Sequence, residues 1–341
     1  MGSSMTEKRG ISALSRKCKQ VLRMVLCSRQ LPPTSEAITR RPEVTPKSES
    51  QLNVPSNLAR VSQGHSRADS SRLYHHDANA GSCAYVYILD SGINVSHTEF
   101  SGRALYGANF IPGKPDCDET GHDTRMASII GGETYGVAKD CTMISVKTTN
   151  NGKGKMSYIT EAIHWFIRDA ASRGVSDRSV INISTGGPYN ASVNHAVEEA
   201  TNAGITVVVS AGNDARSACG QSPASAITAI TVAATGPDDC RRPSSNYGPS
   251  VDIFAPGFRV PVASWSVDNG PEYSSGTSAA AAHVSGLAAY FVTNKNLRGF
   301  NAVRRRILKA ALQGVVTDTR GSGNRLASKC ALRDLLFKQR R

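Results

Sequence analysis

With 341 residues, 39% of them hydrophobic, the chain can bury a sizeable core as one large domain or two. Its formal net charge of +13 belongs to the ends: residues 1–47 carry +7 and residues 298–341 carry +10, which leaves the middle at −4. That distribution disfavours a nucleic-acid-binding core, and no stretch approaches the 18 or more apolar residues of a membrane span.

Residues 1–47 are basic and irregular, with Pro32, Pro33, Pro42 and Pro46 late in the stretch, and are read as a disordered extension or pro-segment remnant. Their best apolar piece, Val21–Cys27, is broken by Arg23, so no signal peptide is recognised. Residues 48–330 form the expected globular domain, and residues 331–341 a basic tail. Eight cysteines contain no C-x-x-C pair, which argues against a zinc site built on them; their number permits disulfides in an exported protein.

Residues 48–82 are polar and are expected to wrap the surface. Ala84–Leu89 then reads as a continuous apolar run of the kind found in central parallel strands, ending at Asp90-Ser91-Gly92. Gly121-His122 leads into a short helical candidate, Thr124–Ile130, followed by a strand at Thr142–Val146. Met156–Ala171 places Met156, Ile159, Ile163, Phe166, Ile167 and Ala170 on one helical face. Strands follow at Val180–Ile183, Ile205–Val209 and Ile230–Ala234, with helices at Val193–Asn202 and Ala302–Leu312. This alternation predicts an α/β fold with a mostly parallel central sheet and right-handed crossovers.

The stretch from Ser274 to Thr293 carries no charged residue and is rich in alanine, so it predicts a helix buried on all sides. Ser278 falls at its N-terminus, where free amides and the positive dipole end favour developing negative charge. It serves there as a nucleophile or simply as a helix cap. Asp90 is either a functional carboxylate at a strand end or an Asx turn, and Asn213 either a donor or a turn residue. Asp90, Ser184–Gly186 and Asn213 all fall just past strand ends, on one rim of the sheet.

A serine hydroxyl attacks an amide only when an imidazole accepts its proton and a carboxylate steadies the resulting imidazolium. Asp90, His122 and Ser278 supply those groups. The blocks Asp90-Ser91-Gly92, Gly121-His122, Ser210-Ala211-Gly212-Asn213 and Ser275-Gly276-Thr277-Ser278 resemble the signature blocks of subtilisin-like serine proteases. Tyr135–Lys139, Ser244–Gly248 and Asp252–Gly257 resemble the proteinase K-like branch, and the likeness spans residues 53–327.

The resemblance implies a three-layer subtilisin-like fold and a serine endopeptidase of the peptidase S8 kind, working through an acyl-enzyme. It implies that Asp90 orients His122, that His122 serves as general base and then general acid, and that Ser278 attacks. Asn213 and the Ser278 amide would form the oxyanion hole. Substrate backbone would pair with Asn151, Gly152, Lys153 and Gly154 on one side and with Ser184, Thr185 and Gly186 on the other. Small residues at Gly186, Ala211 and Gly212 suggest an open pocket for apolar or aromatic side chains. The resemblance implies structural roles for His97 and His283. No cofactor is required for the chemistry. A structural calcium would bind Asp252 with the carbonyls of Ile227 and Ala229. The expected partners are protein or peptide substrates, with no nucleic acid and no membrane, the state monomeric, and the location extracellular.

Four residues depart from the family pattern: Ala279 and Ala282 replace a Met and a Pro after Ser278 and are expected to be tolerated, and the other two lie beside His122. Asp123 and Arg125 stand where a glycine and a second histidine are expected. A carboxylate at 123 would pair with a cation, turn outward or compete with Asp90 for His122, and in the last case raise the histidine pKa. An impaired relative acting as a peptide-binding or regulatory module is therefore the alternative reading. Cys83, Cys117 and Cys219 resemble disulfide positions whose usual partners are missing, Asn150 and Ser250 standing where cysteines would be. Replacement pairs Cys117–Cys141 and Cys219–Cys240 are hypotheses.

Overall fold

The computed structural model describes residues 48–62, 72–265 and 271–329. The readings made for residues 1–47 and 331–341 lie outside these residues. In chain order the strands are β1 (Ser48–Leu52), β2 (Leu73–Asp77), β3 (Tyr85–Asp90), β4 (Ala104–Asn109), β5 (Thr142–Lys147), β6 (Ser179–Ile183), β7 (Gly187–Pro188), β8 (Thr206–Ser210), β9 (Gln221–Ser222), β10 (Ile230–Thr235), β11 (Ile253–Pro256), β12 (Val260–Ala263), β13 (Pro271–Ser274), β14 (Leu312–Gln313) and β15 (Arg325–Leu326). The α-helices are α1 (Ser56–Ser62), α2 (His122–Gly131), α3 (Met156–Ser172), α4 (Ala191–Asn202), α5 (Thr277–Asn294) and α6 (Phe300–Ala310).

Nine strands form one sheet in the order β14-β15-β11-β10-β8-β6-β3-β5-β4. Every neighbouring pair is parallel except β14 with β15 at one edge. Helices cover both faces, as parallel sheets require, because βαβ crossovers must return over the sheet. Side chains alternate along β3: Val86 and Ile88 enter a core shared with α2, α5 and α6, while Tyr87 and Leu89 enter a second core shared with α3 and α4. The α/β architecture expected from the alternation of elements is the one observed.

Helix α5 runs through the first core, and every residue from Ala279 to Val292 is buried. Small side chains let it approach neighbouring backbone closely. At Gly286 a Cβ would come within 2.7 Å of the Val137 side chain, so even alanine there needs a shift of α5 or its neighbour.

The expectation of a polar wrap at residues 48–82 is corrected. β1 pairs antiparallel with β2, and Val54, Leu58, Val61 and Tyr74 are buried in the first core. The spacing Val54, Leu58, Val61 is a helical stripe hidden among polar neighbours. Among the described residues no helix is long and apolar enough to cross a membrane.

The sheet order sets up the site. β3, β6 and β8 are adjacent and parallel, so the segments leaving their carboxyl ends lie side by side. Asp90 ends β3, and the segments after β6 and β8 begin with Ser184 and Ala211. A crevice at the carboxyl ends of parallel strands is the usual place for ligands and chemistry in such sheets.

Candidate active site

Asp90 closes β3. Its main-chain carbonyl accepts from the amides of Thr148 and Thr149 at 2.7 and 2.8 Å, which ties β3 to the segment after β5. Its Oδ1 accepts from the Thr149 hydroxyl, and its Oδ2 lies 3.1 Å from Nδ1 of His122.

His122 opens α2, and its side chain is 32% exposed. Gly121 before it has φ +78°, and a Cβ there would strike the Trp265 side chain at 2.2 Å; both facts demand glycine. The loop leading in is folded around the buried carboxylate of Asp118. Its Oδ1 accepts from the Ser91 hydroxyl at 3.0 Å and from the amides of Thr120 and Gly121 at 3.0 and 2.7 Å. Its Oδ2 accepts from the amide and hydroxyl of Thr124 at 3.1 and 2.7 Å. These bonds satisfy otherwise orphaned amides at the start of α2 and set the direction from which His122 enters the crevice.

Asp123 turns inward and is fully buried. Its Oδ2 accepts from the Gly92 amide at 3.2 Å, while Oδ1 lies 3.5 Å from His122 Nδ1 and has no hydrogen-bond partner. Nδ1 makes no well-directed hydrogen bond to either carboxylate, although both are close. Burial alone would pull the imidazole pKa down, but the charge of Asp90 and the contacts with both carboxylates override it, and the pKa is raised. Burial pushes the Asp123 carboxyl up; its contact with His122 offsets part of that, and the Asp90 charge adds to it.

Ser278 is the second residue of α5, so its amide has no acceptor inside the helix. Its hydroxyl donates to the main-chain carbonyl of Ser184 at 3.3 Å; among the described residues no hydrogen bond joins it to His122. Asn213 is fastened to the same helix start. Its Oδ1 accepts from the Thr277 amide at 2.9 Å and the Thr277 hydroxyl at 3.2 Å, which leaves the Nδ2 hydrogens to point elsewhere.

Ser184, Thr185 and Gly186 leave β6 as a segment outside any named strand. At Gly186 a Cβ would come within 2.6 Å of the Ser222 carbonyl, so glycine is required there by close approach. On the other side, Asn150 and Lys153 exchange amide–carbonyl bonds at 2.9 and 3.0 Å. Asn151 (φ 50°) and Gly152 (φ 68°) both have positive φ, so this segment is a tight turn at its tip. Asn151, Gly152, Lys153 and Gly154 are all exposed.

This arrangement has recognisable relatives. Residues 81–330 match the family model described as Peptidase_S8, the subtilase family. The chain belongs to the subtilase family. A "Subtilisin-like protease 2" of Trichophyton verrucosum is 43% identical over 254 residues, covering 74% of this chain and 61% of that protein. One of the same name from Pseudogymnoascus destructans is 43% identical over 271 residues, covering 79% of this chain and 66% of that protein. The chain thus spans roughly three fifths of the length of the curated subtilases it matches. A crystal structure of a cold-adapted subtilisin-like serine proteinase superposes with a TM-score of 0.76 at 33% identity, covering 82% of this chain and 99% of that one.

Within this subtilase, the two departures at α2 are accommodated differently. Arg125 Nε donates to Glu272 Oε2 of β13 at 2.8 Å, and the Ser264 hydroxyl donates to the other oxygen of Glu272 at 2.9 Å. It is a satisfied ion pair. Asp123 takes the competing position beside Asp90. His97 and His283 are held in structural bonds. His97 Nδ1 accepts from the Glu99 amide at 3.1 Å, while His97 Nε2 contacts the Ser264 carbonyl at 2.7 Å. His283 Nδ1 donates to the Ala279 carbonyl and Nε2 accepts from Asn57, both at 2.8 Å.

The residues expected around calcium present a poor donor set. Asp252 Oδ1 accepts from Arg304 Nη2 at 2.6 Å, and Oδ2 from the Thr231 amide at 2.9 Å. A guanidinium already neutralises the carboxylate, which is the charge a calcium ion would need. The donors do not fit the ion.

The cysteine expectations are corrected. Cys117, Cys141, Cys219 and Cys240 are free thiols, so neither Cys117–Cys141 nor Cys219–Cys240 forms, and Cys83 is disulfide-bonded. Cys141 is sealed in the core while Cys117 is exposed, and Cys219 Sγ accepts from the Ser250 hydroxyl at 2.9 Å. Three supporting residues were not singled out from sequence. Asp118 and Thr149 hold His122 and Asp90. Asn246, fully buried, donates Nδ2 to the Ala211 carbonyl at 2.9 Å and accepts at Oδ1 from the amides of Asp214 and Arg216 at 3.0 and 3.1 Å. An acidic residue shortly before a helix start is a capping signal that points to Asp118; Asn246 lies in the Ser244–Gly248 block without being marked as a brace, and nothing local marks Thr149.

Proposed function

We propose that this subtilase is a serine endopeptidase in which His122 takes the proton of the Ser278 hydroxyl as Oγ attacks the scissile carbonyl. The observation that carries the reading is the Asp90 Oδ2 to His122 Nδ1 separation of 3.1 Å, on the same rim as a serine at a helix N-terminus. The tetrahedral oxyanion would accept from Asn213 Nδ2 and the Ser278 amide. Because Oδ1 of Asn213 is engaged by Thr277, the side chain can present only its donor end. Collapse breaks the C–N bond, the leaving amine takes the proton from His122, and water then hydrolyses the acyl-enzyme with His122 again as base.

For this step the Ser278 hydroxyl must leave the Ser184 carbonyl and turn toward Nε2 of His122. Protein or peptide chains are the substrates. An extended peptide would pair with Ser184–Gly186, whose segment has no strand partner of its own, and with the exposed Asn151–Gly154 turn. The small residues Gly186, Ala211 and Gly212 would leave room for an apolar or aromatic side chain. Labelling of Ser278 by a fluorophosphonate, mapped by mass spectrometry, tests the reading: the probe on Ser278 supports it, and a folded, unlabelled chain overturns it.

Asp123 favours a second reading, an impaired subtilase that binds peptides without cutting them. Beside the charge of Asp90, its carboxylate further favours the protonated imidazole, which cannot accept a proton from Ser278. Reverting Asp123 to glycine separates the two: a large gain in labelling rate shows impairment, and an unchanged rate shows that Asp123 is tolerated.

A further inference from the structure

Three potential ligand atoms meet at His122: its own Nδ1, Asp90 Oδ2 at 3.1 Å and Asp123 Oδ1 at 3.5 Å, all within 4.8 Å of one another. A tetrahedral zinc ion with one nitrogen and two carboxylate ligands needs donor–donor separations of about 3.3–3.5 Å, given bonds of about 2.0–2.2 Å. The two separations from Nδ1 fall within a few tenths of an ångström of that requirement, and the two carboxylate oxygens lie within 4.8 Å of each other. Asp123 is fully buried, and its Oδ1 has no hydrogen-bond partner although it points at Nδ1. Nδ1 likewise has no well-directed hydrogen bond. Buried polar atoms are rarely left so, and an ion held between the two would give both a partner.

We propose that Asp90, His122 and Asp123 form a binding site for a divalent transition ion of the zinc class, and that its occupancy switches the hydrolase off. One imidazole nitrogen with two carboxylate oxygens suits a borderline ion; calcium and magnesium prefer all-oxygen sets with more ligands. Two negative carboxylates offset the charge of the ion, so the buried site is close to neutral. Binding displaces the proton on Nδ1 to solvent, and the ring keeps the hydrogen on Nε2. With Nε2 protonated and Nδ1 coordinated, the imidazole has no lone pair left for the Ser278 proton. Metal binding and general-base catalysis at His122 are then mutually exclusive. A glycine at 123 would leave only two protein ligands, so the third ligand comes from one of the residues by which this chain departs from the family pattern.

The inhibitory consequence rests on the endopeptidase reading; the binding site does not. Binding is therefore measured on the full chain carrying Ser278→Ala, by zinc competition against a chromogenic chelator and by the visible spectrum of added cobalt(II). The expected result is one zinc per chain and a tetrahedral cobalt spectrum. Asp123→Gly and the near-isosteric Asp123→Asn, each added to Ser278→Ala, should weaken zinc at least about tenfold and abolish that spectrum. Absence of stoichiometric zinc, or unchanged affinity in folded Asp123→Asn and Asp123→Gly chains, overturns the site. In the native chain, zinc should block fluorophosphonate labelling of Ser278, and a chelator should restore it. Labelling that zinc at saturating occupancy does not slow overturns the switch. A chain that binds zinc but is never labelled retains the site and loses the endopeptidase reading.

Discussion

Asp123 Oδ1 faces Nδ1 of His122 at 3.5 Å from a side chain with no solvent exposure. The base of the candidate triad therefore sits between two carboxylates rather than beside one. Catalysis needs His122 neutral, and both carboxylates favour its charged form. On the proposed mechanism, activity should fall tenfold per pH unit below the raised histidine pKa, so that its acid limb lies at higher pH than a histidine beside one carboxylate would give. Asp123→Gly removes one of the charges and lowers that pKa, so the acid limb of kcat/KM moves to lower pH and the rate at neutral pH rises by about tenfold for each unit of movement. A pH–rate profile of both proteins checks this. An acid limb that stays in place would show that Asp90 alone sets the protonation of His122.

Asn246 is the brace of the loop that carries Asn213. Its amide group serves the carbonyl of Ala211 and the amides of Asp214 and Arg216, and its own main-chain amide donates to Gly212 at 2.9 Å. Asn246→Ala should cost about 1–3 kcal/mol for each group left buried without a partner. Because Asn213 rides on this loop, kcat should fall more than KM rises. Denaturant unfolding and steady-state kinetics on the same variant measure both effects.

Cys219 and Ser250 are already placed for a cross-link, with Sγ and Oγ 2.9 Å apart at positions separated by 31 in sequence. Ser250→Cys should form a disulfide under oxidising conditions and raise stability by about 3–4 kcal/mol on the loop-entropy estimate. Thiol titration should show no reactive Cys219, and the gain in unfolding midpoint should vanish on adding a reductant.

His283 is fully buried in α5, and burial lowers its pKa from 6.5 to about 4, the bond to the Ala279 carbonyl opposing part of that fall. The unfolded chain therefore takes up a proton near pH 6.5 that the folded chain refuses until about pH 4. The stability that neutral His283 supplies is fully present above pH 6.5 and is lost as pH falls from there toward 4, at up to about 1.4 kcal/mol per pH unit. Unfolding free energies across that window, compared with those of His283→Gln, should show a shallower acid loss in the variant.

Continuous apolar runs ending in Asp90, Ser184 and Ser210, with helical stripes between them, were enough to read the parallel sheet and the rim on which the functional residues lie. The charge-free alanine stretch foretold the buried helix that presents Ser278. Periodicity carries such information because burial on one or both faces of an element acts on every residue of that element. Short or edge strands such as β4, β14 and β15 escaped notice, since few residues in them face a core. The helical stripe of α1 was masked by its polar neighbours.

The sequence, through the family blocks it resembles, named the side chains proposed as acid, base and nucleophile and the positions that break the pattern. Only the tertiary structure decided what those departures do: Arg125 reaches across to Glu272, while Asp123 turns inward against His122. It also decided that Asp252 is claimed by Arg304 and that Cys219 meets Ser250. The physical reason is that a side chain's partner is set by distances between segments far apart in sequence, and charge and hydrogen bonding at those distances fix its protonation. Neither quantity is carried by the local pattern from which strands and helices are read.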